Sequence, residues 1–196
     1  MRPVARLATY DDLLALGEDA RAEIIAGQVE AGPSPLPEHS RAIGEIGYSI
    51  GGPFDRGHGR GGPGGWWIFS ELDVRLSAHD VVRPDVSGWR RERLPEPWGK
   101  RPIDVVPDWV CEILSPSNVA HDRVKKANLY AHHHVPFLWL VDPAEQTLEA
   151  FKLVDGMWMR FGSYDATAKA RIAPFEAVEL EVGLLFPPKP SNTDPA

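Results

Sequence analysis

Two acidic side chains stand in strand-like runs where they could bind a metal ion. Asp85 follows Pro84 in residues 81–89 (VVRPDVSGW), and Glu112 interrupts the apolar run of residues 107–114 (PDWVCEIL). A hard cation such as Mg²⁺ takes carboxylate oxygens at about 2.0–2.1 Å, so its ligands must lie close together. Burying an unpaired carboxylate is costly. The pattern therefore indicates a metal site, and the alternative is a Glu112 side chain that faces solvent on an edge strand.

Spacing selects the partner of Glu112. Asp108 lies four residues before Glu112 on the same strand, which is about 13 Å at roughly 3.3 Å per residue and too far for one ion. Asp85 belongs to the preceding strand, and pairing of the two strands would bring both carboxylates within reach of one ion. Glu71, on an earlier strand, is a candidate auxiliary carboxylate, for which a surface position is the alternative.

Positive charge follows on the next predicted helix. Lys125 and Lys126 lie there, and metal-assisted hydrolysis needs a cation near its transition state. Asp122, Lys126 and Tyr130 are spaced i, i+4, i+8 and share one helix face, so Asp122 could hold Lys126 in place. Helical spacing alone does not choose between the two lysines. Two solvated surface lysines are the alternative.

The elements that must position these side chains follow from the apolar periodicity and the turn residues. The order is a short helix, a hairpin, an amphipathic helix, a glycine-rich loop, three strands, a helix, a strand and a second hairpin. A strand, helix and strand in succession indicate a parallel βαβ unit. The predicted positions are the helix from residue 10, the hairpin around Gly27, the helix from His39, the loop 51–65, the strands 66–76, 81–89 and 107–114, the helix with the apolar stripe Ala120, Val124, Ala127 and Ala131, the strand 136–142, and the hairpin 147–164 with its turn at Asp155 and Gly156.

Length and composition are those of a globular protein. The chain has 196 residues, 43% hydrophobic and 25% charged, which favours one domain over residues 1–186 and a disordered tail over 187–196. The single cysteine, Cys111, excludes intramolecular disulfides and multi-cysteine zinc sites and favours a cytoplasmic location. No segment has the character of a membrane span or a signal peptide, so we expect no membrane partner.

The charge distribution is uneven. A net charge of −7 argues against a general nucleic-acid coat protein, because such binding depends on Lys and Arg. Residues 90–101 (RRERLPEPWGKR) are a local exception, with five basic and two acidic residues. A solvated loop and a basic contact surface are both compatible with this segment.

Four segments resemble the restriction-endonuclease-like Uma-two family of the PD-(D/E)XK nuclease superfamily. They are VVRPDVSGW, PDWVCEILSPSN, HDRVKKANLYA and VPFLWLVDP, and the similarity extends from TYDDLLAL to PFEAVELEVGLLF. The resemblance implies an α/β fold of the α+β type, with a restriction-endonuclease-like core in which helices flank a mixed central sheet. It also implies Mg²⁺- or Mn²⁺-dependent hydrolysis of DNA, with DNA as the partner.

The resemblance assigns the central roles to three residues. Asp85 matches the aspartate of the PD motif and Glu112 matches the second acid, so these two would hold the metal ion. Lys126 matches the lysine of a D-x-x-x-K-x-x-x-Y helix motif. The superfamily lysine usually follows the second acid by two residues, where this chain has Leu114. Catalysis would therefore use the migrated lysine or none.

The resemblance also marks auxiliary positions. Asp122 and Tyr130 fill the other positions of the helix motif, Glu23 fits an early E-x-x-x-G element that ends at Gly27, and His39 fits a histidine after a PSP loop. Departures from the family pattern occur at Asn118, His134 and Phe137.

The expected function is that of a divalent-metal-dependent endodeoxyribonuclease. Two alternatives stay open: a catalytically silent nuclease fold that binds nucleic acid or a protein partner, and a hydrolase of a small phosphorylated substrate. A homodimer is compatible with the sequence, which does not reveal cleavage specificity. Because crowded carboxylates repel each other, we also expect that replacing Asp85 or Glu112 does not lower the melting temperature of the metal-free protein.

Overall fold

The structure is a computed structural model that describes residues 6–17, 20–55, 62–116 and 120–188. Asn118, residues 56–61 of the predicted loop and residues 189–196 of the predicted tail lie outside the described residues. The described chain is a mixed α+β fold built on strands with few helices, and the fold class expected from the sequence is confirmed.

Twelve strands are present in the described part of the chain. They are β1 (Ala22–Ile25), β2 (Gln28–Ala31), β3 (Trp66–Ser70), β4 (Val74–Ser77), β5 (Asp80–Val82), β6 (Val86–Arg90), β7 (Trp109–Ile113), β8 (Phe137–Asp142), β9 (Thr147–Val154), β10 (Met157–Asp165), β11 (Lys169–Ala170) and β12 (Leu180–Glu181). β9 and β10 form the predicted hairpin around Asp155 and Gly156.

A six-stranded mixed sheet forms the centre of the molecule. Its strand order is β10-β9-β8-β7-β6-β3, and β7 and β8 are its parallel pair. The parallel pair with a helix between its strands confirms the predicted strand–helix–strand unit. A four-stranded sheet has the order β2-β1-β5-β4, and β11 pairs with β12.

Two of the three predicted strand runs are divided between the two larger sheets, which corrects the sequence-based expectation. Residues 66–76 supply β3 to the six-stranded sheet and most of β4 to the four-stranded sheet, and residues 81–89 likewise supply β5 and β6. The chain leaves the first sheet at Glu71, whose φ is +53°. It returns through Pro84, which has no N–H to continue a ladder. Glu71 and Asp85 therefore lie where the chain crosses between the sheets.

The N-terminal helices lie before β3. They are α1 (Tyr10–Leu14), α2 (Pro37–Ile46), a π-helical turn (Gly47–Gly51) and α3 (Gly52–Asp55). α2 begins two residues before His39, because proline is well suited to the first helical turn. The loop prediction for residues 51–65 is wrong at 51–55, which are helical. Packing of Phe54 against Phe175, at a centroid distance of 4.8 Å, offsets the cost of ordering glycines there.

The helix between β7 and β8 differs from its predicted form. It consists of a π-helical segment (His121–Lys126) and α4 (Ala127–His132). The predicted apolar stripe is wrong, since Val124 is 56% exposed while Asp122 and Lys126 are buried. The wider π-helical turn changes which side chains face the sheet. No helix in the described ranges has the length and apolarity needed to cross a membrane.

Apolar side chains cover both faces of the six-stranded sheet. One face packs against α2, α3 and the C-terminal segment, through residues such as Ile46, Trp109 and Phe175. The other face packs against α4 and the four-stranded sheet, through residues such as Val110 and Leu138. β7 is buried along its whole length. Glu112 therefore lies in the interior, and the edge-strand alternative is excluded.

Candidate active site

Asp85 and Glu112 lie opposite each other across the β6–β7 pair. Val86 pairs with Cys111, and the next step of this antiparallel register brings Asp85 opposite Glu112. Oδ2 of Asp85 accepts a hydrogen bond from the backbone N–H of Ile113 at 2.6 Å, which fixes the carboxylate against β7. β6 and β7 pair as predicted and Asp85 directly precedes β6, whereas the binding of one ion by both carboxylates stays a prediction.

Glu71 is a third acidic residue, next to Asp85 on the side away from Glu112. Its backbone N–H donates to the carbonyl oxygen of Asp85 at 3.2 Å. Its carboxylate accepts a hydrogen bond from Arg21 at 2.9 Å and is more exposed than those of Asp85 and Glu112. Glu71 thus lies at the rim, and its auxiliary role stays a prediction.

Glu112 is a buried carboxylate with two polar partners. Only 1% of the residue is exposed. Its Oε1 lies 2.8 Å from Nζ of Lys126 and accepts a hydrogen bond from the hydroxyl of Tyr130. Burial, together with the negative charge of Asp85, raises the pKa of Glu112 well above its usual range, and Lys126 opposes this shift. A nearby positive charge therefore stabilises the ionised form of this side chain.

Lys126, and not Lys125, points into the site. Its Nζ lies between Glu112 and Glu23, 3.0 Å from the latter, and the residue is 4% exposed. Burial works against its charge, but Glu112 and Glu23 outweigh burial and hold the pKa of Lys126 well above its usual range. Lys125 is exposed and pairs with Glu30 at 2.9 Å. The expected orientation of the two lysines is confirmed.

Glu23 brings the four-stranded sheet to the site. It lies on β1, and its Oε1 accepts a hydrogen bond from the backbone N–H of Arg83 at 2.6 Å. This contact ties β1 to the chain crossing that carries Asp85. Glu23 therefore completes the surroundings of Lys126 from the side opposite β7.

His39 contacts the other acid. Its Nε2 lies 3.0 Å from Oδ1 of Asp85, and its Nδ1 is buried without a hydrogen-bond partner among the described residues. Burial lowers the tendency of the imidazole to protonate, but Asp85, with Glu71 and Asp122 farther away, outweighs it and raises the pKa of His39. His39 thus holds the Asp85 carboxylate from the α2 side.

The helix motif places Asp122 and Tyr130 differently. Asp122 is buried near His121 (3.3 Å) and lines the same cavity as Lys126, and burial raises its pKa. Tyr130 is fully buried behind Glu112 and does not line the cavity. The i, i+4 spacing predicted that Asp122 holds Lys126. The ion-pair contacts of Lys126 are with Glu112 and Glu23 instead.

One cavity of about 90 Å³ collects these side chains. It is lined by Arg21, Ala22, Glu23, Gly32, Pro33, Ser34, Pro35, His39, Glu71, Arg83, Asp85, Glu112, Ile113, Ser115, Asp122 and Lys126. Of the eight residues singled out from the sequence, only Tyr130 lies behind the wall. Sequence reasoning missed Arg21, Arg83 and the residues 32–35. Arg83 had a signal, because it directly precedes the Pro84-Asp85 dipeptide.

Comparison with known proteins identifies the family of the chain. Residues 7–183 match the model of the Uma2 family, which is described as "Putative restriction endonuclease". The chain belongs to the Uma2 family. No curated protein matches the chain.

A crystal structure shares the fold of this Uma2 chain. It is described as "a putative nuclease belonging to DUF820 from Anabaena variabilis ATCC 29413". The two chains are 24% identical, the match covers 91% of this chain and 97% of that one, and the TM-score is 0.68. At this identity the likeness concerns the fold.

Leu114 of this Uma2 chain lies two residues after Glu112. Its side chain is buried in the core on the α4 side of the sheet, and its backbone N–H donates to Val141 at 2.8 Å. A lysine is instead supplied by the helix, where Lys126 contacts Glu112.

The donor set suits an oxygen-preferring cation. No group of three or more His, Cys, Asp or Glu side chains in the described ranges forms a ready-made metal cage. Mg²⁺ ordinarily keeps several waters and uses one or two carboxylates, so Asp85 and Glu112 are a sufficient protein contribution. The hydrogen bond from Tyr130 and the 2.8 Å contact with Lys126 both involve Oε1 of Glu112, which also lines the cavity.

Proposed function

We propose that this protein is a divalent-metal-dependent endonuclease that hydrolyses DNA phosphodiester bonds. One observation carries the proposal: Asp85, one residue before β6, lies opposite Glu112 of β7 at one cavity, and a buried lysine contacts Glu112. Membership of the Uma2 family supports the same conclusion. DNA as the substrate, the metal requirement and the relation to PD-(D/E)XK nucleases are parts of this proposal.

Asp85 and Glu112 would hold Mg²⁺ or Mn²⁺. When bound, such an ion lowers the pKa of a coordinated water and neutralises charge that develops on the phosphoryl oxygens. Asp85 is held for this task by the Ile113 N–H and by His39. Glu112 is held by Lys126 and Tyr130, which both contact its Oε1.

Lys126 would orient the attacking water or the scissile phosphate. Its charge is maintained by Glu23 and Glu112 in a buried position, where a fixed cation stabilises developing negative charge more strongly than in water. Glu23 acts together with Glu112 to keep Lys126 protonated. The same arrangement keeps the ammonium group at the cavity rather than in solvent.

The test is plasmid nicking by the purified protein with Mg²⁺, Mn²⁺ or EDTA. Wild type should nick supercoiled DNA with either metal and not in EDTA, and Asp85→Asn or Glu112→Gln should abolish nicking. Asp108→Asn is a matched control, because Asp108 also follows a proline but pairs with Arg93, away from the cavity. Metal-dependent nicking that survives both acid substitutions would overturn the assignment.

Two observations favour alternative functions, which the same experiment distinguishes. Leu114 in the core favours a catalytically silent nuclease fold, which predicts no cleavage with any metal. The small volume of the cavity, about 90 Å³, favours a hydrolase of a small phosphorylated substrate, which predicts turnover of a phosphodiester such as bis(p-nitrophenyl) phosphate but not of DNA. Measuring hydrolysis of both substrates in parallel separates the three functions.

A cytoplasmic location, a homodimer and a single domain over residues 1–186 stay predictions.

A further inference from the structure

A second cavity adjoins the candidate active site. It has a volume of about 320 Å³ and shares Glu71 and Arg83 with the first cavity. Its other side is formed in part by Lys100 and Arg101, at the end of the basic segment 90–101. A ligand that extends out of the active site past Glu71 and Arg83 would therefore reach this segment.

Trp98 is the notable side chain of the segment. It is 65% exposed, although tryptophan is highly buried on average. Its ring stands nearly perpendicular to those of Trp67 and Phe69, with centroid distances of 5.2 and 6.1 Å and interplanar angles of 72° and 74°. These contacts support the indole from one side, and most of its surface remains open to a partner.

The charge around Trp98 suits an anionic partner. Lys100 is exposed and has no ion-pair partner among the described residues. Arg101 pairs with Asp73, and Arg91 stacks over Trp67 with its guanidinium carbon 3.8 Å from the ring centroid. Lys100 follows Trp98 by two residues in the chain. Single-stranded nucleic acid is bound where an aromatic ring stacks on a base and a nearby cation contacts a phosphate.

We propose that Trp98 and Lys100 form a subsite for an unpaired nucleotide of the strand that enters the active site. The inference deepens the proposed nuclease function and rests on it for the position of the scissile phosphate. A base in an intact duplex has both faces covered by its neighbours and cannot stack on Trp98, so the subsite selects single-stranded or frayed ends. The basic segment favours a nucleic acid over a protein partner.

Binding of a labelled single-stranded oligonucleotide, followed by fluorescence anisotropy in EDTA at low salt, tests the subsite without requiring cleavage. Trp98→Ala should weaken binding by about tenfold or more, and Trp98→Phe, which keeps an aromatic face, should recover most of the affinity. Lys100→Ala should reduce the dependence of log K on log salt by about 0.7. Binding of a relaxed circular duplex, which has no ends to fray, should be unaffected by Trp98→Ala in a gel-shift measurement.

Matched controls use exposed residues of the same types that line neither cavity. Tyr48→Ala and Lys152→Ala should leave the affinity within about twofold of wild type, because one tyrosine or lysine elsewhere on the surface supplies no such pair of contacts. Melting temperatures measured alongside exclude unfolding, and Trp98→Phe keeps the test valid if Trp98→Ala is unstable.

The outcomes separate this inference from the proposed function. Binding that depends on Trp98 without any nicking by wild type supports the subsite and contradicts the nuclease function. Nicking with oligonucleotide binding that is absent, or that ignores Trp98→Ala, overturns the subsite alone. A change of oligomeric state in Trp98→Ala, measured by light scattering, would make this surface a protein interface and would also overturn the subsite.

Discussion

Nζ of Lys126 lies 2.8 Å from Oε1 of Glu112, and both side chains are almost completely buried. Glu23 contacts the same ammonium group from the four-stranded sheet, so one lysine serves two acids from two sheets. Buried charges are tolerated when they are paired and become costly when a partner is removed. We therefore expect Lys126 to contribute to stability and to the proposed catalysis.

Replacing Lys126 with Met should impair both properties. The substitution leaves Glu112 and Glu23 together without a cation, and we expect the free energy of unfolding to fall by about 2–4 kcal/mol. Metal-dependent nicking should fall by about 10²–10³-fold, as when one group that stabilises transition-state charge is lost. Urea denaturation and initial nicking rates measure the two effects.

Lys125→Met is the matched control for this prediction. Lys125 is 55% exposed in its side chain and pairs with Glu30 at the surface, so we expect nearly wild-type stability and activity. An exchange of the two phenotypes, with Lys125→Met inactive and Lys126→Met active, would transfer the catalytic role to Lys125.

Replacing Glu112 with Ala should destabilise the protein, which reverses the expectation drawn from crowded carboxylates. Repulsion from Asp85 is relieved, but Lys126 loses one of its two acids and Tyr130 loses its acceptor. We expect a loss of about 2–4 kcal/mol in the metal-free protein, measured by urea denaturation in EDTA. A melting temperature equal to or above that of wild type would show that relief of repulsion dominates.

The sequence predicted the centre of the fold well, because its strands are marked by continuous apolar runs. β7 and β8 are covered on both faces, and the hairpin of β9 and β10 has its turn at Asp155 and Gly156. The pairing of Asp85 with Glu112 followed from a physical requirement, since one cation needs ligands on neighbouring strands. Both signals are local or rest on one simple distance.

The features that were missed depend on tertiary contacts. The apolar pattern predicted that Val124 lies on the buried face of the helix. In the structure Asp122 and Lys126 lie on that face instead, because their charges have partners there. A π-helical turn cannot be predicted from apolar periodicity, because packing against the sheet selects which of its side chains face inward. The division of two strand runs between sheets similarly follows from where Pro84 and Glu71 interrupt the ladders.

A pair of glycine substitutions tests the packing of the central sheet. A Cβ at Gly88 would lie 3.1 Å from the ring of Trp109 and 3.3 Å from that of Trp66, so Gly88→Ala should cost about 1–3 kcal/mol. A Cβ at Gly44, inside α2, meets nothing within 4 Å, so Gly44→Ala should stabilise by about 0.5–1 kcal/mol. Thermal denaturation in which both variants shift in the same direction would contradict the packing described for β6.

The pH dependence of stability should be carried in part by Asp73. Its carboxylate is buried, and it accepts hydrogen bonds from Tyr10 at 2.9 Å, Arg83 at 2.8 Å and Arg101 at 3.2 Å. Burial alone would raise the pKa of Asp73, but these donors outweigh burial and lower it. The folded state therefore holds the proton less tightly than the unfolded chain does.

The sign of the effect follows from this lowered pKa. The stabilisation is fully present above the pKa of an unfolded Asp, about 3.9, and is lost as the pH falls through the lower pKa of the folded state. Asp73→Asn should thus cost about 2 kcal/mol at pH 7, since three donors, two of them charged, lose an anionic acceptor. The difference from wild type should shrink as the pH falls from about 4 toward 2, where Asp73 becomes protonated.

Urea denaturation of both proteins across this pH range measures the difference in the free energy of unfolding. Asp104→Asn is the control, because Asp104 forms an exposed pair with Arg75 and the variant should stay close to wild type throughout. A difference that persists unchanged at the lowest pH would mean that Asp73 stabilises the fold by its shape and not by its charge.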